Sequence, residues 1–155
     1  MSAAIRRIGG RVLIVDAHER VLLVHERLED GSTHWLTPGG GIEGGEQPRD
    51  AAVRESAEEV GIDIVLPADA EAALVTRRLW SWDGVTYDQT DYFYLARVRA
   101  GLQVSPRGLT EVERRTLLGF AWWTVPQLRN TSETLLPSDL DGVLAGLLTA
   151  AAHAG

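Results

Sequence analysis

The sequence predicts an α/β fold in which helices cover both faces of a central mixed β-sheet, an α/β/α sandwich. Strand-like runs flank a central stretch that carries helix start and stop signals, and a second helical stretch rich in small residues closes the chain. At 155 residues the chain is long enough for one sizeable core, with no internal repeat or low-complexity segment to divide it. Residues 1–155 therefore read as a single domain.

Arg11 to Val15 and Val21 to Val24 are apolar, β-branched runs joined by the polar turn Asp16-Ala17-His18-Glu19-Arg20. The loop Glu29-Asp30-Gly31-Ser32 leads to a short strand at Trp35-Leu36. A helix is expected from about Pro48 to Val60. Pro48 lies where a first helical turn tolerates a missing N–H, and Gly61 where the helix end needs a residue at ease with positive φ. Ala52, Val53, Ser56, Ala57 and Val60 form a face small enough to lie close against a sheet. The Ser56 hydroxyl needs a partner there, and the carbonyl of Ala52 is the expected one. Strand signal resumes from Ala73 to Trp82, turns at the hairpin dipeptide Asp83-Gly84, and returns through Tyr92 to Val98. Pro106 to Gly108 mark a loop. Gly119 to Thr124 form the last strand, Val125 to Arg129 begin a short helix, and Asp139 to Ala152 form the terminal helix behind Pro137-Ser138.

Composition narrows the function classes. Hydrophobic residues make up 45% and charged residues 24%, ordinary for a globular protein. A net charge of −7 without a dominant basic patch argues against a nucleic acid polymer as partner. The absence of cysteine excludes disulfides, thiolate metal sites and cysteine nucleophiles. No apolar run is long enough to span a membrane, and Met1 to Arg7 lack a signal-peptide core, so a cytoplasmic location is expected.

The informative stretch is Gly40 to Ile62, GGIEGGEQPRDAAVRESAEEVGI. Glu55, Glu58 and Glu59 stand at i, i+3 and i+4, so a helix stacks their carboxylates on one face. Such like charges repel and weaken an isolated helix, and runs of charge are usually solvated surface. The Gly39-Gly40-Gly41 turn before them favours a site over a solvated face, because backbone without Cβ can approach a ligand closely. All-oxygen ligation suits a hard cation, Mg2+ or Mn2+, and Mg2+ characteristically shares its shell with phosphate oxygens.

The same stretch fits G-x5-E-x7-R-E-U-x-E-E-x-G-U, where U is a bulky apolar residue. Gly40, Glu46, Arg54, Glu55, Glu58, Glu59, Gly61 and Ile62 fill specified positions, and Ser56 alone departs from an aliphatic one. Chance agreement at the invariant positions is on the order of one in a million for a chain of this size. The pattern resembles the signature of the Nudix hydrolases, strongly over residues 35–62 and loosely elsewhere. The preceding run Trp35 to Gly41 is similar to the entry into that signature in many members.

The resemblance implies the Nudix fold and a hydrolase that cuts within the diphosphate of a nucleoside diphosphate linked to another group. By the same resemblance Glu55, Glu58 and Glu59 are metal ligands, joined by a backbone carbonyl at Gly39 or Gly40, while Arg54 and Glu46 bind the loop to the helix. Arg54 also orients its neighbouring carboxylate. The general base in the family lies either on the signature helix, which points to Glu55, or on a loop before the last strand. The second case points to Glu111 or Glu113, with Glu113 preferred for its distance from the Trp122-Trp123 strand.

For substrate contacts the candidates are Arg27, Gly39, Gly41, Trp82 and Gln89. Trp80, Tyr87, Tyr92 and Tyr94 are further aromatics near the hairpin, Arg77 and Arg78 further cations, and Asp91 a neighbour of Gln89. Aromatics at strand spacing are more often core or sheet surface than base platforms. His18, His25, His34 and His153 show no metal-ligand spacing. The substrate is a small nucleotide (nucleotide sugar, dinucleoside polyphosphate or ADP-ribose type). The alternatives are a house-cleaning hydrolase of oxidised nucleoside triphosphates releasing pyrophosphate, and a nucleotide-sensing module without hydrolysis. Retention of every signature carboxylate disfavours the sensor. The oligomeric state is open between monomer and homodimer.

Overall fold

Strand β1 (Ile5–Val15) carries the alternation on which the fold is built. Val12 and Ile14 face one side of the sheet and Leu13 and Val15 the other, all fully buried. The chain was described from a computed structural model over residues 2–154. Met1 and Gly155, the outermost residues of the expected domain and N-terminal stretch, lie outside the described residues, as does the side chain of His153.

After β1 the chain turns at Asp16, whose Oδ1 accepts from the backbone N–H groups of His18 and Arg20 at 3.0 Å each. Strand β2 (Val21–Arg27) pairs with β1 at Val15 and Val21, and the two then diverge. Into the gap runs the chain from β3 (Thr33–Leu36) to β4 (Gly39–Gly41), which pairs antiparallel with Gly9 to Arg11 of β1. Helix α1 (Pro48–Glu55) follows, then β5 (Leu74–Trp82) and β6 (Val85–Arg97). The crossover through α1 lets β6 lie parallel to β1 along the whole of that strand. Helix α2 (Glu111–Thr116), β7 (Leu117–Trp123), α3 (Val125–Asn130), β8 (Leu135–Leu136) and α4 (Leu140–Ala154) complete the chain. The mixed sheet has the order β5-β6-β1-β2-β3-β8, with β4 on β1 and β7 on β2.

Two cores sit on the two faces. One packs Val12, Ile14, Leu22, Val24 and Tyr94 against Ala52 of α1 and Val60 beyond it. The other packs Leu13, Val15, Leu23 and Phe93 against Leu128 of α3 and Leu140 and Leu144 of α4. The α/β/α sandwich is therefore the architecture. Gly10 sets the close contact of the first layer, since a β-carbon there would lie 1.9 Å from the Pro48 carbonyl oxygen.

Local differences from expectation have physical causes. The expected single helix is α1 followed by a π-helical turn, Ser56–Val60, stopped by Gly61 at φ 70°. That wider turn carries the Ser56 hydroxyl past Ala52, and it donates instead to the Ile62 carbonyl at 2.7 Å. Strands β1 and β6 begin earlier than expected because inter-strand pairing extends them through Gly9-Gly10 and Tyr87 to Gln89. Helix α2 and strand β8 are too short to carry a readable period. Among the described residues no helix is long and apolar enough to cross a membrane.

Candidate active site

The diverging strands leave a cleft of about 750 Å³, and the signature residues gather at it. Glu55 and Glu59 reach it from α1 and the π-helical turn, and Glu113 from the first turn of α2. One carboxylate oxygen from each lies within 4.8 Å of the others. Burial raises the Glu55 pKa above the ordinary value. Burial and a hydrogen bond with Glu113 raise that of Glu59 much further. Three converging carboxylates that repel one another in this way fit a hard divalent cation in all-oxygen ligation.

Glu58 turns toward Arg54 and shares its Nη1 donor with Glu55. Its carboxylate accepts from Arg54 Nη1 at 3.1 Å and is 42% exposed. The π-helical turn accounts for this: with more residues per turn, position i+4 stays near i while i+3 falls behind. The oxygens that converge within 4.8 Å are thus those of Glu55, Glu59 and Glu113, with Glu58 beside Glu55 on Arg54.

Arg54 ties the arrangement together. Its guanidinium donates to both oxygens of Glu46 at 2.9 and 3.0 Å, to Glu55 Oε1 at 2.9 Å and to the Gly41 carbonyl at 2.9 Å. Glu46 accepts in turn from the Glu43 N–H at 2.8 Å, which closes the loop before α1. Gly40 lies beneath the Glu55 carboxylate, where a β-carbon would come within 2.4 Å of Oε1. Gly39, at φ 158°, has Arg11 equally close. Gly61 has the Ser105 carbonyl 2.0 Å from where its β-carbon would be. The loop 105–108 is stitched to the π-helical turn there: Arg107 and Gly108 donate their N–H groups to the Glu58 carbonyl at 2.8 and 2.9 Å.

Glu113 is held by the capping box of α2. Its Oε1 accepts from the Thr110 N–H at 2.8 Å, and its own N–H donates to Thr110 Oγ1 at 3.1 Å. Glu111 is 84% exposed and faces Arg115 at 3.8 Å, away from the carboxylate group.

Of the expected substrate contacts, Arg27, Gly39, Gly41, Trp82 and Gln89 all line the cleft, with Trp80, Tyr87 and Arg78 beside them. Trp80 and Tyr87 stack at 4.6 Å, with the Arg7 guanidinium 5.8 and 5.9 Å from their centroids. Tyr92 and Tyr94 belong to the core instead, and Arg77 pairs with Asp88 on the outer face. Strand alternation makes both separations.

Arg11 and Glu26 join the cleft without a local sequence signal of their own. Arg11 donates to Asp91 at 3.1 Å and to the Thr37 carbonyl at 2.8 Å, and Asp91 accepts from Gln89, itself bonded to Trp80 Nε1. His34 bonds to Glu26 on the cleft wall, while His25 stacks on Trp35. Gly9-Gly10 inside a strand was the available signal, since paired glycines there mark close approach.

Over residues 5–144 the sequence matches the family description NUDIX domain. The chain belongs to the Nudix family. It is 38% identical over 74 residues to "Nudix hydrolase 25" of Arabidopsis thaliana, in a match covering 42% of each chain. It is 34% identical over 76 residues to "RNA pyrophosphohydrolase" of Cereibacter sphaeroides, covering 49% of this chain and 42% of the relative. The match thus spans about two fifths of the length of these curated relatives. Among solved structures, the C. elegans Ap4A hydrolase superposes with a TM-score of 0.63 at 16% identity, covering 95% of this chain and 99% of that one. The E. coli dihydroneopterin triphosphate pyrophosphohydrolase gives 0.60 at 22% identity, covering 85% and 90%. At these identities the structural matches establish the Nudix fold.

Proposed function

We propose that this Nudix domain is a divalent-metal-dependent hydrolase of the diphosphate linkage in a nucleoside diphosphate joined to another group. The observation that carries the reading is the meeting of Glu55, Glu59 and Glu113 within 4.8 Å in a cleft that also holds arginines and a stacked Trp-Tyr pair. The curated and structural relatives, by name, act on phosphoric anhydrides of different outer groups, which agrees with shared chemistry and variable substrate.

Glu55 and Glu59 would hold Mg2+ or Mn2+, with the Gly40 carbonyl a further ligand and Glu113 facing them across the site. When bound, the cation neutralises phosphoryl charge and acidifies water. Glu113 is the general base. The Thr110 N–H occupies one of its oxygens and fixes the carboxylate, leaving the other to take a proton from the attacking water. Water oxygen bonds to phosphorus in line, the bridging P–O bond breaks, and the leaving phosphate departs as an anion. Arg54 and Glu46 hold the Gly41 loop against α1, and so keep Glu55 over Gly40. Arg27, Gly39, Gly41, Trp82 and Gln89 contact the nucleotide, and Trp80 with Tyr87 offers a face on which a base stacks. A cytoplasmic location fits the cysteine-free sequence and its small-molecule substrate. Light scattering decides between monomer and homodimer.

The test is a phosphatase-coupled phosphate-release panel with Mg2+, covering ADP-ribose, dinucleoside polyphosphates, nucleotide sugars and nucleoside triphosphates. Turnover of a linked diphosphate, abolished by excess EDTA, supports the reading. Release of pyrophosphate from triphosphates alone supports the house-cleaning alternative. No turnover on any member supports the sensor.

A further inference from the structure

Two hairpin tips meet at the mouth of the cleft. The first is the β2–β3 tip, closed on itself by Leu28 N–H to Ser32 carbonyl at 2.8 Å and Gly31 N–H to Leu28 carbonyl at 3.0 Å. The second is the β5–β6 tip, where Asp83 at φ 50° and Gly84 at φ 74° make the two-residue turn between the paired residues Trp82 and Val85. Both tips line the cleft, the first through Leu28, Glu29 and Asp30 and the second through Ser81 and Trp82. A two-residue turn of this kind makes no internal use of the Asp83 N–H. It donates across the mouth to Glu29 Oε1 at 2.7 Å.

The latch lies far from the carboxylates. Gly40, under Glu55, pairs with Gly10, which pairs with Tyr92 of β6. From Tyr92 to Tyr87 the strand advances five residues, about 16 Å at the usual rise, and the tip lies beyond. The latch therefore closes over the aromatic end of the cleft, where Trp80, Trp82 and Tyr87 stand. Asp83 has positive φ, and a charge-assisted bond to its N–H holds each tip where the other can enclose a bound group.

We propose that Glu29 is a specificity-determining residue: its bond to the Asp83 N–H limits the size of the group that the aromatic end accepts. This rests on the proposed nucleotide site. A small terminal group fits beneath the closed latch, whereas a bulky one requires it to open. Breaking one solvent-exposed charge-assisted hydrogen bond shifts such an opening equilibrium by about threefold.

The experiment compares wild type, Glu29→Ala and Glu29→Gln. Tryptophan fluorescence gives the dissociation constants of ADP and diadenosine tetraphosphate, and backbone hydrogen exchange of Asp83 reports the latch itself. Glutamine keeps an acceptor in the Oε1 position and serves as the conservative rescue. The expected result is faster Asp83 exchange in Glu29→Ala, with relative affinity for the larger ligand increased about threefold, and values for Glu29→Gln between wild type and Glu29→Ala. An unchanged affinity ratio in Glu29→Ala, or an equal change in both variants, overturns the proposal. Wild type that binds neither nucleotide overturns the proposed site and the latch's role with it, whereas wild type that binds both at an unchanged variant ratio overturns the latch alone.

Discussion

A β-carbon on Gly40 would stand 2.4 Å from Oε1 of Glu55 and 2.6 Å from its Cδ. The loop before α1 and the helix that follows it are thus fitted to each other at the carboxylate that faces the cleft. Gly40→Ala tests this fit, because the Gly40 backbone is not in the left-handed region and the added methyl acts by volume alone. We expect kcat to fall about 10²-fold, the usual cost of displacing a reacting group by an ångström. The melting temperature should stay within a few degrees of wild type. Full kcat in this variant would show that Glu55 does not need its present position.

Arg54→Lys should destabilise the loop and the site together. Lysine cannot serve Glu46, Glu55 and the Gly41 carbonyl at once, and it loses the planar two-bond contact with Glu46. The expected loss is about 1–3 kcal/mol by urea unfolding. In a double-mutant cycle with Glu46→Gln, the two changes should be strongly non-additive.

Asp16 gives a pH-dependent term remote from the site. Burial acts to raise its pKa, but the Arg20 side chain and two backbone N–H groups outweigh it and leave the value lowered. A carboxylate lowered in the folded state contributes stability that is complete above its unfolded value, about 3.9, and is lost as pH falls through the lower folded value. Asp16→Asn should therefore be less stable than wild type by about 1–2 kcal/mol at neutral pH, discounted for the partly exposed Arg20. The gap should narrow below about pH 4. A constant difference from pH 7 to pH 3 would contradict the assignment.

Thr110→Val removes the hydroxyl that caps Glu113 N–H, and Thr110→Ser keeps it. If the capping box fixes the base, Thr110→Val should lower kcat about tenfold with little change in KM, and Thr110→Ser should restore most of it. Equal kinetics for the two variants would separate the cap from catalysis.

Much of this was legible in the sequence because spacing and backbone chemistry encode it directly. Pro48 and Gly61 bound the helical segment, the Asp83-Gly84 turn closed its hairpin, and strand alternation separated the two cores. The turn of Glu58 toward Arg54 was not legible, since a π-helical turn leaves no mark in a pattern read with the α-helical period. Arg11 and Glu26 were equally hidden, as was the pairing of Arg11 with Asp91 and of Glu26 with His34. They meet through pairing of strands distant in sequence, and no local spacing announces that. Glu113 came into view only by resemblance. Its place follows from the loop 105–108, whose backbone bonds to the π-helical turn bring α2 to the cleft.

The most direct measurement is Mn2+ binding, followed by electron paramagnetic resonance, in wild type, Glu59→Gln and Glu58→Gln. Both substitutions preserve volume and remove one charge from the same turn, so a general loss of acidity affects them alike. The geometry predicts that Glu59→Gln weakens Mn2+ binding at least about tenfold, because Glu59 lies among the converging carboxylates. Glu58→Gln, whose carboxylate faces Arg54, should change it by less than about threefold. Equal affinities in wild type and Glu59→Gln would contradict the proposed metal centre at Glu55 and Glu59.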